Sequence, residues 1–209
     1  AKENDKKINF EMEGEEIELD RTVLERITDP LVHLLRNAVD HGIEPIEERK
    51  EKGKTPTGTI KLAATQKEEN VVIEISDDGR GLNLDKIKDK AIEKGLATEE
   101  ELEEMSDEEI YMFIFNSHFS TKDEVTKVSG RGVGMEVVKK TMDSLGGEVS
   151  VESTIDEGST FRMTLPPSVA IVQAFLIEIG EGTYAIPLED VVETTQVRRD
   201  ELEQIKGND

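Results

Sequence analysis

Cysteine is absent from all 209 residues. That excludes disulfides, thiolate zinc sites and cysteine nucleophiles, and it fits a reducing compartment. Histidine is scarce: three occur, none in an HExxH spacing, so a catalytic zinc site is not expected. No apolar run approaches the roughly 20 residues a membrane span needs, and residues 1–7 are charged rather than signal-like. Basic charge is also in short supply. Lys+Arg number 26 against 48 Asp+Glu, giving a formal net charge of −22 and a pI near 4.5. A surface that acidic repels phosphodiester backbones and anionic lipid, which sets aside nucleic acid and membrane insertion. One phosphorylated small molecule remains compatible, because a bound metal and a few lysines neutralise a phosphate chain locally. Hydrophobic and charged residues each make up 35 %, sufficient for a core at this length. The composition predicts an acidic, globular, cytoplasmic protein of one domain, or one domain and part of a second.

Alternation over residues 8–19 around Gly14 predicts a small hairpin. Asp20 suits the N-cap of a short helix over residues 21–27, and Pro30 opens a stronger helix over residues 31–41, stopped by Gly42. Residues 50–58 read as a loop, and residues 59–65 and 71–75 as strands joined by a polar turn. A helix is expected over residues 84–94, and Thr98 with Glu101, then Ser106 with Glu109, have capping-box spacing. The eight acids between Glu99 and Glu109 then belong to solvated helix faces. Residues 116–130 lack an apolar period and read as a long mobile loop. A helix over residues 132–145 and a hairpin of residues 148–154 with 159–165 follow, and beyond Pro166 and Pro167 the chain is β-rich. The expected fold class is α+β, a mixed sheet with helices on one face.

Four clusters carry chemistry. His33, Asn37 and His41 recur every four residues and share one face of their helix. An amide oxygen there is a good ligand for Mg2+ already bridged to phosphates, although taken alone the stripe reads better as an exposed polar face with a helix-ending His41. Asp77-Asp78-Gly79-Arg80-Gly81 follows an apolar strand directly. Its glycines let the chain pass close to a planar base while Asp77 accepts from an exocyclic amine, but glycine turns after strands are common. Phe115-Asn116-Ser117-His118-Phe119-Ser120-Thr121-Lys122 is a polar loop pinned by two aromatics. Gly130-Arg131-Gly132-Val133-Gly134 opens a helix, where unpaired N–H groups and the positive end of the dipole suit a phosphate chain. A dinucleotide fingerprint would need a buried strand before it, and residues 122–129 are polar. Gly53-Lys54-Thr55 looks like the end of a P-loop, but Glu48 stands at the first glycine's position. No HRD loop accompanies Asp77-Asp78-Gly79, which removes the eukaryotic-type protein kinases.

In this order, the asparagine helix, the DxGxG turn, the aromatic loop and the glycine-rich helix start resemble the Bergerat-fold ATPase and kinase superfamily. Within it, Leu31-Val32-His33-Leu34-Leu35-Arg36-Asn37-Ala38-Val39-Asp40-His41-Gly42-Ile43-Glu44 and Val128-Ser129-Gly130-Arg131-Gly132-Val133-Gly134-Met135 are similar to the ATP-binding domain of the CheA-type chemotaxis histidine kinases. Residues 170–192, with Tyr184-Ala185-Ile186-Pro187-Leu188, resemble the first strands of the CheW-like regulatory domain of those kinases. The resemblance implies a two-layer α/β sandwich over residues 1–167 and the incomplete start of a small β-barrel over residues 168–209.

It also implies ATP and Mg2+ as cofactors, with site residues carried over position by position. Asn37 would hold the metal, with His33 beside it in the catalytic helix and His41 near the phosphates. Asp77 would read the adenine amine, Gly79 and Gly81 would shape the base pocket, and Lys86 and Lys90 would reach the phosphates. Ser120 and Thr121 would lie in the ATP lid, and Gly130, Arg131, Gly132 and Gly134 would complete the phosphate cradle. Ser117-His118 departs from the Pro-Gly often found before the second aromatic, which alters lid stiffness and places an imidazole there.

The implied function is γ-phosphoryl transfer from ATP to a histidine on a separate phosphotransfer domain, because all three histidines of this chain belong to the site or its lid. Implied partners are that domain and, through the C-terminal region, a CheW-type adaptor and a chemoreceptor. A superfamily ATPase that hydrolyses ATP is the alternative, but such enzymes place Glu four residues before the metal asparagine, where His33 stands. A docking module merely stabilised by nucleotide is the third reading.

Overall fold

The computed structural model describes residues 5–117, 119, 134–166, 174–180, 182–187 and 191. The chain divides into two compact units, residues 1–169 and 170–209.

The first unit is built on a five-stranded mixed sheet in the order β1-β2-β3-β5-β4. Residues 8–19 do not form the expected hairpin. β1 (Lys7–Glu13) lies parallel to β2 (Thr57–Lys67), with Phe10 opposite Ile60. Gly14, at φ +80°, turns the chain so tightly over β2 that a Cβ would sit 1.9 Å from the Ala64 carbonyl oxygen. Ile17 and Leu19 then pack at the margin of the core rather than in a return strand. Alternation looks the same in either arrangement, and the actual partner strand lies far along the sequence.

A parallel pair needs a crossover, and α1 (Arg21–Asn37) and α2 (Ile46–Glu51) supply it. α1 is one helix where two were expected. Asp20 caps it by accepting from the Thr22 N–H at 2.7 Å. Pro30 sits inside it, forfeiting one backbone hydrogen bond, but is buried with Val23, Ile27 and Leu34. Burial of that stripe outweighs the lost bond. The helix ends in a π-turn (Ala38–Gly42), closed by the Ile43 N–H on the Ala38 carbonyl at 2.8 Å. Lys6 Nζ donates to the Val39 and Asp40 carbonyls, both at 2.8 Å, satisfying acceptors the helix end leaves open. α2 and an earlier start of β2 shorten the loop expected over residues 50–58.

β3 (Asn70–Asp77) is central, antiparallel to β2 and to β5 (Gly158–Leu165), and β4 (Glu148–Thr154) closes the far edge. Between β3 and β4 come α3 (Leu84–Glu93), α4 (Glu99–Glu104), α5 (Asp107–Tyr111), a 3-10 turn (Met112–Phe115) and α6 (Met135–Ser144). Both expected capping boxes are made, at Thr98 with Glu101 and Ser106 with Glu109. Ile60, Ile73, Ile75, Val149, Val151, Phe161 and Met163 from the sheet join Ile27, Leu34, Ile87, Ile110, Val138 and Met142 from the helices in one core. Alternate strand positions carry the ion pairs Arg162–Glu74 and Arg162–Glu152, 2.6 and 2.9 Å. The unit is therefore an α+β two-layer sandwich. Among the described residues, no helix is long and apolar enough to cross a membrane.

The second unit contains an antiparallel pair, β6 (Ala174–Ile179) and β7 (Gly182–Pro187), with Leu176 opposite Ala185. Leu176, Ile179 and Tyr184 on it are exposed.

Candidate nucleotide site

Asp77 ends the central strand, opposite Ile60 of β2 and Ser159 of β5. One of its carboxylate oxygens, Oδ1, accepts from the Gly79 N–H at 2.9 Å. Burial pushes its pKa up to about 6, against the lowering effect of that N–H; the charges of Asp78 and Glu44 raise it further and Lys54 lowers it. Gly79 and Gly81 are required by close approach: a Cβ on either would lie 2.2 Å from a carbonyl oxygen, of Gly42 and Thr154 respectively. Gly42, read from the sequence only as a helix stop, packs against Asp77, and its carbonyl accepts from the Arg80 N–H at 3.0 Å.

The two neighbouring aspartates have opposite fates. Asp78 is consumed by the fold: Oδ1 accepts from the Thr59 N–H at 2.8 Å and Oδ2 pairs with Arg49 at 2.9 Å. Asp77 Oδ2, by contrast, makes no hydrogen bond among the described residues.

Behind the turn lies a charged cluster that sequence reasoning missed. Glu44 and Arg49 are buried and paired at 2.9 Å. Lys54 meets Glu44 at 2.8 Å and the Asp78 and Gly79 carbonyls at 2.9 and 2.6 Å. Burial drives the Glu44 carboxyl upward, but the Lys54 hydrogen bond and charge, with Arg49, outweigh it and hold it below the ordinary carboxylate range. The three residues lie five apart, Glu44 before α2, Arg49 within it and Lys54 in the loop after it, a spacing that follows no secondary-structure period, so no local signal marks them. The P-loop match at Gly53-Lys54-Thr55 was coincidental, yet its lysine is central here.

On the other side, Asn37 ends α1, and its Nδ2 donates to the Met135 sulfur at 2.9 Å. Met135 is the first residue of α6, and Gly134 its N-cap, with no side-chain cap bond. The fold thus joins the asparagine helix to the end of the glycine-rich segment. His33 is half-buried; burial first, then the charges of Arg36 and His41, hold its pKa below the usual imidazole value. His41 stands exposed on the π-turn rather than on the α-helix. Lys86 is exposed, and its backbone N–H donates to the Oδ1 of the helix cap Asn83 at 2.8 Å. Lys90 Nζ lies 5.7 Å over the ring of Phe119, which is buried, as is Phe115, itself edge-on to Phe161 at 6.5 Å. Ser120, Thr121, Gly130, Arg131 and Gly132, and His118 with them, lie outside the described residues.

Among the described residues, no three His, Asp or Glu side chains are grouped to hold a metal ion by themselves. Mg2+ that bridges phosphates asks little of a protein, commonly one or two oxygen ligands. Asn37 fits that requirement: with Nδ2 committed to Met135, its amide oxygen is the atom left for a hard cation.

An α+β sandwich with an acid at the end of its central strand and an asparagine against a glycine-capped helix start defines a nucleotide-binding ATPase module. Residues 26–169 match the histidine kinase-, DNA gyrase B- and HSP90-like ATPases, and the chain belongs to that family. It is 51 % identical to chemotaxis protein CheA of Halobacterium salinarum over 95 % of this chain and 30 % of that protein. With CheA of Bacillus subtilis the identity is 48 %, over 97 % of this chain and 30 % of that one. Against the sensor histidine kinase CheAY of Helicobacter pylori it is 45 %, over 99 % and 26 %. The chain spans about a third or less of the length of these curated relatives. Among solved structures, the catalytic domain of histidine kinase ThkA matches at 24 % identity and TM-score 0.47, over 77 % of this chain and 79 % of that one.

Asp77 yields a prediction with a worked sign. Its folded pKa, about 6, lies above the usual aspartate value of 3.8. Between these values the folded state binds the proton more tightly, so the ionised group lowers stability. The cost is complete above pH 6 and disappears as pH falls below 4. Two units correspond to a ceiling of about 3 kcal/mol. Asp77→Asn should therefore melt higher than the parent at pH 8, with the gap closing towards pH 4, while losing affinity for ATP. Melts of both proteins across that range, with calorimetric ATP titrations at pH 8, check both halves.

Proposed function

We propose that this chain is the ATP-binding catalytic domain of a chemotaxis histidine kinase, transferring the γ-phosphoryl of ATP to a histidine on a separate phosphotransfer domain. The observation that carries the reading is Asn37 seated against the first residue of α6. It puts a metal-capable amide beside the positive end of a helix dipole, where a phosphate chain is favoured.

Asp77 accepts the adenine amine with the oxygen its turn leaves open, and the glycines beside it admit the base. The Asn37 amide oxygen would hold Mg2+ against the phosphates; the metal, when bound, neutralises charge on the triphosphate as the γ-phosphoryl departs. Burial holds the His33 pKa below the usual imidazole value, which disfavours a competing cation there. It stands where hydrolysing relatives need a carboxylate general base, a group that contributes about 10²–10⁴-fold, so water is weakly activated. The acceptor imidazole of the phosphotransfer domain attacks phosphorus in line, the bond to the ADP oxygen breaks, and the work of the site is positioning and charge stabilisation.

The names of the relatives support a chemotaxis setting; a cytoplasmic location, where ATP is available, and a CheW-type adaptor and a chemoreceptor engaged through residues 168–209 belong to the proposal. The test uses γ-labelled ATP with Mg2+. The chain alone should gain no acid-labile phosphohistidine, and adding a separate phosphotransfer domain should produce the label on that domain. Rapid labelling of the chain itself, or hydrolysis without transfer, would overturn the proposal.

A further inference from the structure

Lys54 grips two consecutive peptide groups of the base-binding turn. The peptide joining Asp78 to Gly79 is one rigid plane. Its carbonyl accepts from Lys54 Nζ at 2.9 Å and from Arg49 at 3.1 Å, while its N–H is donated to Asp77 Oδ1 at 2.9 Å. The next peptide is held at both ends as well: the Gly79 carbonyl accepts from Lys54 at 2.6 Å, and the Arg80 N–H donates to the Gly42 carbonyl at 3.0 Å. The third acceptor for the ammonium is Glu44, at 2.8 Å. Three donors thus meet three acceptors, the full capacity of a lysine. The Lys54 side chain is only 15 % exposed and Glu44 beneath it is fully buried, so water does not readily replace the contact.

Resting on the nucleotide-site reading above, we propose that Lys54 is the positioning residue for base recognition: it fixes both peptides before nucleotide arrives and thereby aims the Asp77 carboxylate. A flip of the first peptide would turn a carbonyl towards that carboxylate and remove the N–H that orients it. Lys54 also supplies the positive charge facing Asp77, opposite the negative charges of Asp78 and Glu44. Its neighbour Lys52 reaches Glu44 only at 3.9 Å and touches neither peptide, pairing more closely with Asp156 at 2.6 Å and Glu48 at 3.3 Å.

Two measurements on the whole chain decide the matter. In the nucleotide-free protein, the Gly79 and Arg80 amides should exchange far more slowly than in an unstructured peptide. Free-peptide exchange that slows only on adding ATP would mean the ligand orders the turn, and would overturn the inference. In Mg2+ titrations with ATP and GTP, Lys54→Met should lose about tenfold in ATP affinity, the scale of one charge-assisted hydrogen bond, and most of its preference for ATP. Lys54→Arg should recover part of both, and Lys52→Met should stay within about twofold of the parent, since exposed pairs contribute little. A Lys54→Met protein that melts lower but keeps the parent's ATP-to-GTP ratio would reduce Lys54 to a structural role. If the parent itself fails to bind ATP, the nucleotide-site reading falls and takes this inference with it, whatever the exchange shows.

Discussion

Asn37→Ala is expected to lower phosphotransfer by about 10²–10⁴-fold, the range covered by several kcal/mol of metal-borne charge stabilisation. The loss should be chemical rather than structural. Asn37 is half-buried at the last position of α1 and outside the apolar core, so its removal empties no packed space. Its one described side-chain bond, to the Met135 sulfur, is a weak acceptor contact. Melting temperature should therefore move by a few degrees at most, and nucleotide binding without Mg2+ should be little changed. Asn37→Asp keeps an oxygen for the metal but sets a negative charge beside the phosphates, and should fall between parent and alanine variant. Single-turnover transfer to a phosphotransfer domain, measured across Mg2+ concentrations, is the check. An alanine variant with the parent's Mg2+ dependence would remove Asn37 from the metal site.

Arg49→Met should be the most destabilising single change in the cluster behind the turn, by about 3 kcal/mol or more. Arg49 pairs with buried Glu44 and with Asp78, and it also donates to the Thr55 carbonyl at 2.7 Å. Methionine fills much of the same space but supplies none of these bonds. Glu44 then keeps only its lysine contacts, and Asp78 keeps the Thr59 N–H. For a unit of this size, that loss corresponds to a fall of about 6–12 °C in melting temperature. Glu44→Gln in the same background should cost less than it does alone, because the uncompensated buried charge is gone; contacting groups couple by about 0.5–3 kcal/mol. Thermal or urea unfolding of the four proteins tests this, and strict additivity would show that the pair is not coupled.

How much of this was legible beforehand differs from element to element. The capping boxes at Thr98 and Ser106, the helix beginning at Leu84 and the β4–β5 hairpin involve residues only a few positions apart, and there the local reading and the structure agree. Asp77, Gly79 and Gly81 could be singled out because glycines beside an acid at a strand end form a local pattern. The errors fell where distant partners decide. Residues 8–19 alternate as a hairpin would, but β2 offered the better edge. Pro30 has the look of a helix start, but the core keeps it inside α1.

By itself, the sequence determined the chemistry on offer: no thiol, a strong acidic excess, an asparagine helix, an acid ahead of close-packed glycines, and a glycine-rich helix start. It also determined the elements stabilised by bonds between near neighbours. Only the tertiary structure decided which of two adjacent aspartates keeps a carboxylate oxygen without a partner among the described residues, because Thr59 and Arg49 claim Asp78 from separate elements. Only the tertiary structure brought Asn37 to Met135 across 98 residues, and set Glu44, Arg49 and Lys54 under the turn. The physical reason is burial. A charge on the surface is indifferent to its neighbours, whereas a charge withdrawn from water must find its partner there, and that partner is chosen by the packing of the whole sheet rather than by any period along the chain.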